Sequence, residues 1–257
     1  MQLEIDGMQV YYETTGNGKD ILFLHGWGSS TVAFSRMIRN LSSRYRCTAL
    51  DFPGCGETDL PQAPYTIEKY CAFVLEFIQK AGLANPILIG HSNGARVILN
   101  LCMQGALSPQ KIVLFGAAGL RSPRTFRQKW RGRSFKAIKR VLTLPVIKNY
   151  SEDLLAAARQ HYGSADYNAA VPVMRQTLVN LLGSDLLIGT NDVDNLKKIK
   201  ASTLLIFGEN DTATPVAHGK IMEEKIADSG LCVIQGGTHW CFVEFPDQID
   251  AILNSFL

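Results

Sequence analysis

The chain lacks the features that would place it in a membrane or bind it to a metal. No apolar run approaches the roughly 18 residues of a membrane helix. The start, Met1-Gln2-Leu3-Glu4-Ile5-Asp6-Gly7, has neither a basic n-region nor an apolar h-region. We therefore expect no membrane span and a cytoplasmic location. Cysteine is sparse and scattered, at Cys47, Cys55, Cys71, Cys102, Cys232 and Cys241, with no C-x-x-C. Such spacing reads as reduced thiols. The histidines (His25, His91, His161, His218, His239) include no H-E-x-x-H and no i,i+4 pair, so neither a metal nor a cofactor is expected. No internal repeat or low-complexity tract is present.

Net charge is low too, at +3, but it is unevenly placed. Between Leu120 and Arg140 stand nine basic residues and no acid, and subtracting these nine from +3 leaves the rest of the chain at −6. An acidic remainder without a recognition motif argues against nucleic acid as a partner. Within the basic segment Arg124, Arg127 and Arg131 recur at helical spacing, with Phe126 and Trp130 beside them. This is either a solvated helix face or a surface for an anionic substrate or an anionic membrane. In the substrate case Arg127 and Arg131 are candidate binding residues.

What is present is a regular alternation. Asp20-Ile21-Leu22-Phe23-Leu24, Arg46-Cys47-Thr48-Ala49-Leu50, Pro86-Ile87-Leu88-Ile89, Lys111-Ile112-Val113-Leu114-Phe115, Thr203-Leu204-Leu205-Ile206-Phe207 and Leu231-Cys232-Val233-Ile234 are short apolar runs. They suit strands buried on both faces. Helical patterns separate most of them, such as the one Thr66 can cap, with Ile67, Tyr70, Val74 and Ile78 on one side. Leu3–Asp6 and Gln9–Thr14 flank a turn and read as a hairpin. Strands alternating with helices imply an α/β fold with a mostly parallel central sheet flanked by helices. From Leu120 to Lys198 no convincing strand is visible. Helical pairs dominate there: Phe126 with Trp130, Leu154-Leu155 with Ala158, Val173 with Thr177 and Leu181. We expect a core formed by 1–119 and 199–257, with 120–198 as a helical lid inserted over it.

The chemistry-bearing residues follow the strands, where open parallel sheets place their sites. Gly90-His91-Ser92-Asn93-Gly94 lies between a strand and a helix. A G-x-S-x-G in that context marks a sharp turn that exposes a serine hydroxyl. The same glycines would also suit a tight turn with no chemistry. Serine needs a base, and the base needs an orienting group. His239 follows the last strand and Asp211 the one before it. Each alone reads as a loop or turn residue. Together the three run Ser…Asp…His, each just past a strand end. An oxyanion requires backbone donors. The N–H of Asn93 is one candidate. The N–H of Trp27, in His25-Gly26-Trp27-Gly28, is the other, although a plain glycine turn would look the same.

The chain resembles the α/β-hydrolase superfamily, specifically bacterial single-domain serine hydrolases with a helical cap. The resemblance spans nearly the whole chain. It is carried by His25-Gly26-x-Gly28, Asp51-x-Pro53-Gly54-x-Gly56, the turn at Ser92, Gly208-x-x-Asp211 and Gly237-x-His239. It implies a catalytic triad of Ser92, His239 and Asp211, an oxyanion hole at Trp27 and Asn93, and Asp51 in a structural strand-end turn. It implies cleavage of a small carboxylic ester or thioester through an acyl-enzyme. Members with an aspartate nucleophile differ at the position of Ser92, which excludes epoxide hydrolase and haloalkane dehalogenase chemistry. Two alternatives stay open. Carbon–carbon bond hydrolases of aromatic ring-cleavage products are similar in having a tryptophan after the histidine, here Trp240, although Cys241-Phe242-Val243 departs from their pattern. Trp240 is thus a substrate contact or plain packing. A small-molecule receptor that keeps the triad is the other alternative. The expected partner is a small molecule, and the chain is a monomer or homodimer.

Overall fold

The apolar runs found in the sequence become the strands of one sheet. The computed structural model describes residues 1–123, 125–142, 154 and 165–257. Strands β1 (Gln2–Ile5) and β2 (Met8–Thr15) form the expected antiparallel hairpin. Its turn residues Asp6 and Gly7 have φ of 51° and 71°, as a two-residue hairpin turn requires. β3 (Lys19–Leu24), β4 (Tyr45–Leu50), β5 (Ile87–His91), β6 (Lys111–Phe115), β9 (Ser202–Gly208) and β10 (Ser229–Ile234) complete the sheet. The order is β1-β2-β4-β3-β5-β6-β9-β10, antiparallel through β2 and β4 and parallel from there on.

Burial on both faces explains why these strands read as continuous rather than alternating. Leu22, Leu24, Leu88, Leu114 and Phe207 pack on one face with α2 (Ile67–Lys80) and α3 (Asn93–Met103). Ile21, Phe23, Ile89, Phe115 and Ile206 pack on the other with α1 (Ser35–Leu41) and the C-terminal helix Pro246–Phe256. Each fully buried side chain of this size stabilises the fold by about 1.5–3 kcal/mol. The expected helix from Thr31 begins as a 3₁₀ turn, Thr31–Phe34, before α1. Thr66 Oγ1 accepts the Lys69 N–H at 3.4 Å and caps α2. Asp51 accepts the N–H groups of Thr31 (2.7 Å) and Glu57 (2.9 Å), so it closes the turn after β4.

Between β6 and β9 the chain leaves the sheet. It forms α4 (Phe126–Leu142), α5 (Ala165–Ala169), α6 (Pro172–Gly183) and a 3₁₀ segment at Asn191–Lys198. Two short strands that the sequence did not announce, β7 (Leu120–Arg121) and β8 (Leu186–Leu187), pair in parallel at the base of this excursion. A two-residue strand is too short to show any alternation. The helical patterns at Leu155 and Ala158 lie outside the described residues, as do Arg124 and the side chains of Arg127 and Arg131. Among the described residues no helix is long and apolar enough to cross a membrane.

The strand order also locates the site. From β3 the chain first moves to β4 on one side and later to β5 on the other. The loop after β3 and the turn after β5 therefore diverge from a topological switch point, where open α/β sheets bind their ligands.

Candidate active site

Ser92 stands between β5 and α3 with φ 50° and ψ −108°. A non-glycine residue in that region is strained by roughly 1–3 kcal/mol and is held there by its surroundings. Those surroundings are tight. A Cβ on Gly94 would lie 1.9 Å from the Leu24 carbonyl oxygen, and one on Gly90 would lie 2.7 Å from the Ala95 nitrogen. Only glycine fits on either side of the serine. The Ser92 N–H donates to Phe115 O at 2.9 Å, and its carbonyl accepts from Arg96 N at 3.0 Å and Ala118 N at 3.2 Å. Its hydroxyl does not cap α3, so it is available for chemistry. The residue is half-buried, while His91 and Asn93 on either side are buried.

Asp211 lies in the turn after β9 and is 5% exposed. Its carboxylate accepts four hydrogen bonds. Oδ1 takes the N–H groups of Ala213 and Thr214, both at 2.8 Å. Oδ2 takes the Thr214 hydroxyl at 2.7 Å and His239 Nδ1 at 2.7 Å. Burial pushes the carboxyl pKa up, but the His239 and Thr214 hydrogen bonds outweigh it and hold the group below its ordinary value. Asp211 is therefore an anion that accepts the Nδ1–H of His239 and orients the ring, leaving Nε2 as its second nitrogen. No hydrogen bond joins that second nitrogen to Ser92 Oγ among the described residues. Such bonds commonly tighten only in the substrate complex.

The loop after β3 carries the other candidate donor. Ser29 N–H bonds to Gly26 O at 3.3 Å, closing a turn with Gly28 at φ 66°. The Trp27 N–H lies outside that bond. His25 anchors the loop: its Nδ1 donates to Gly26 O at 2.7 Å and its Nε2 accepts Phe52 N–H at 2.9 Å. Asn93 N–H belongs to the first turn of α3, whose amides have no partner within the helix and whose dipole favours negative charge. Both candidate donors thus come from the two diverging loops at the switch point.

Trp240 is 38% exposed and lines an open surface depression with Gly28, Val32, Ala33 and Val243. Cys241 is buried, and burial pushes its thiol up to about 12, which removes it as a nucleophile. The contacts of two further residues are not legible in the local pattern. Thr214 lay inside a plausible turn, and its spacing from Asp211 is that of an ordinary local cap. Glu244 accepts Thr238 N–H at 2.8 Å and the Thr238 hydroxyl at 2.5 Å, which shapes the loop that presents His239.

The chain as a whole has counterparts among known proteins. A family model described as the alpha/beta hydrolase fold matches residues 20–246. The chain belongs to the α/β-hydrolase family. This α/β hydrolase is 24% identical over 255 residues to a pimeloyl-[acyl-carrier protein] methyl ester esterase of Nitrosomonas europaea, covering 93% of this chain and 96% of that one. It is 22% identical over 262 residues to a 2-hydroxy-6-oxo-6-(2'-aminophenyl)hexa-2,4-dienoic acid hydrolase of Metapseudomonas resinovorans, covering 98% and 88%. Among solved structures it is similar to an esterase from Exiguobacterium antarcticum, with 26% identity, a TM-score of 0.74, and coverage of 98% of this chain and 96% of that one. These relatives are all hydrolases, and the bonds named for them differ.

Proposed function

We propose that this α/β hydrolase cleaves a small carboxylic ester or thioester through an acyl-enzyme. The observation that carries the reading is the 2.7 Å bond between Asp211 Oδ2 and His239 Nδ1, set beside a serine on a strained turn. Ser92 Oγ attacks the acyl carbon while His239 Nε2 takes its proton. The Trp27 and Asn93 amides receive the oxyanion. His239 returns the proton to the departing alcohol or thiol. Water, deprotonated by the same nitrogen, then releases the acid and frees Ser92. Residues 120–198 act as the lid, with 1–119 and 199–257 as the catalytic core. Arg127 and Arg131 in α4 are the candidates for reading an anionic substrate.

A second reading, carbon–carbon bond hydrolysis, is favoured by the half-exposed Trp240 directly after His239. The test is turnover of short- and medium-chain p-nitrophenyl esters and of a vinylogous 1,5-diketone acid, by wild type and by Ser92→Ala. Multiple turnovers of the esters that vanish in Ser92→Ala support the proposal. Turnover of the diketone alone would move the assignment to the second reading. A burst of about one acyl group per chain that then stalls would point to a receptor. Ester turnover surviving in Ser92→Ala would overturn the mechanism.

A further inference from the structure

His91 precedes the proposed nucleophile in the chain, yet its side chain is turned to the proposed base. Its Nε2 lies 3.0 Å from the carbonyl oxygen of His239. A carbonyl only accepts, so His91 carries its proton on Nε2 and donates it there. The ring is packed as well as bonded. Its centroid is 4.6 Å from the rings of His239 and Trp240 and 4.8 Å from Phe242. The opposite edge faces the loop after β3. A Cβ on Gly26 would lie 2.7 Å from His91 Nδ1 and 3.1 Å from Ser92 Cβ. That nitrogen is buried and has no hydrogen-bond partner.

We infer that His91 is a positioning residue: one ring, rooted beside Ser92, sets the spacing between the His239 loop and the Trp27 loop. Three catalytic parts of the proposed mechanism come from separate strands. Ser92 follows β5, His239 follows β10 and Trp27 follows β3. β10 is separated from β5 in the sheet by β6 and β9. No ladder hydrogen bond therefore ties the His239 loop to β5, and the His91 bond does so across 148 residues of sequence. On the other side the ring is the wall against which Gly26 rests. A spacer of this kind must not carry charge, because His239 becomes an imidazolium as it takes the serine proton. Burial depresses the His91 pKa to about 3, so the ring next to that developing cation stays neutral.

The inference rests on the serine-hydrolase reading, and the test separates the two. Ser92 is titrated with a fluorophosphonate, whose phosphonylation of the serine, with loss of fluoride, needs the base in place and needs no knowledge of the natural substrate. Wild type, Ser92→Ala, His91→Phe, His91→Gln and His91→Asn are compared, with a thermal melt for each. Phenylalanine keeps the ring and loses the donor. Glutamine places an amide N–H near the Nε2 position, and asparagine places one near Nδ1. Labelling should vanish in Ser92→Ala and slow by on the order of 10–100-fold in His91→Phe and His91→Asn. It should recover toward wild type in His91→Gln, with kcat on an ester following the same order and KM little changed. If His91→Phe does not fold, the glutamine and asparagine pair decides alone. Equal rates in wild type, His91→Phe and His91→Asn would overturn the inference while leaving the serine reading intact. Slowing in all three variants in proportion to lost melting temperature would overturn it too, by reducing His91 to a packing residue. Labelling that persists in Ser92→Ala would instead remove the reading beneath it.

Discussion

Asp211 shows how much of the site depends on single hydrogen bonds. A buried carboxylate is unfavourable unless its lone pairs are filled, and here Thr214 supplies both an N–H and a hydroxyl. The hydroxyl also lies 3.2 Å from His239 Nδ1. Thr214→Val preserves shape and removes that donor. One net hydrogen bond is worth about 1 kcal/mol, or roughly fivefold in rate. We expect kcat/KM on the test ester to fall by roughly 5–10-fold in Thr214→Val and to stay near wild type in Thr214→Ser. A valine variant as active as wild type would show that the two amides and His239 already saturate the carboxylate.

At the scale of elements, the informative contact joins α3 to the base of the 120–198 segment. Arg96 Nη2 lies 2.6 Å from Asp185 Oδ1, with side chains only 7% and 6% exposed. Burial lowers the Arg96 pKa and raises that of Asp185, in both cases against the partner's attraction. Each shift disfavours the charged form, so the pair is costly to bury and is held by mutual attraction. Next to it Arg121 donates to Leu182 O at 2.7 Å, and β7 pairs with β8. These contacts clamp the two ends of the excursion to the helix that begins at the proposed nucleophile. Asp185→Asn should strand the guanidinium and reduce stability by about 3–5 kcal/mol. The double replacement Arg96→Met with Asp185→Leu should recover most of that loss. Urea melts of the three proteins give the answer. An Asp185→Asn variant as stable as wild type would show that the Asp185 charge is not what holds the Arg96 guanidinium in place.

Across the whole molecule, buried histidines set the response to acid. His91 is depressed to about 3, chiefly by burial, with His239 and His25 adding to the depression and Asp211 opposing it. His25 is also depressed by burial, against its bond to Gly26 and the charge of Asp51. In the unfolded chain both return to about 6.5. Between roughly pH 6.5 and 3 the unfolded chain therefore binds more protons than the folded one. By linkage, stability rises with pH in that window and is lost as pH falls through it. Asp211 and Asp20, both depressed, extend the loss through the carboxylate range. Asp185 is raised and acts in the opposite sense. Urea midpoints should thus decline steadily from about pH 7 to about pH 4.5, and His91→Phe should flatten part of that slope. A midpoint independent of pH over this range would contradict the buried, neutral histidines.

Much of this was legible in the residues alone, because the signals are local. Continuous apolar runs report burial on both sheet faces. Glycines at 90 and 94 report a turn where a Cβ would strike backbone, and Thr66 reports a helix start. The positions of Ser92, Asp211 and His239 after their strands follow from the same local patterns. Tertiary structure alone decided what meets across long stretches of chain. The strand order places β3 between β4 and β5, which brings the Trp27 loop against the Ser92 turn. The His91 bond to His239 and the Arg96 pair with Asp185 join segments far apart in sequence. The pairing of β7 with β8 does the same with strands too short to leave a periodic trace. Local patterning specifies which faces are buried and where the backbone turns. It does not specify which buried faces meet, because that depends on packing summed over the whole chain.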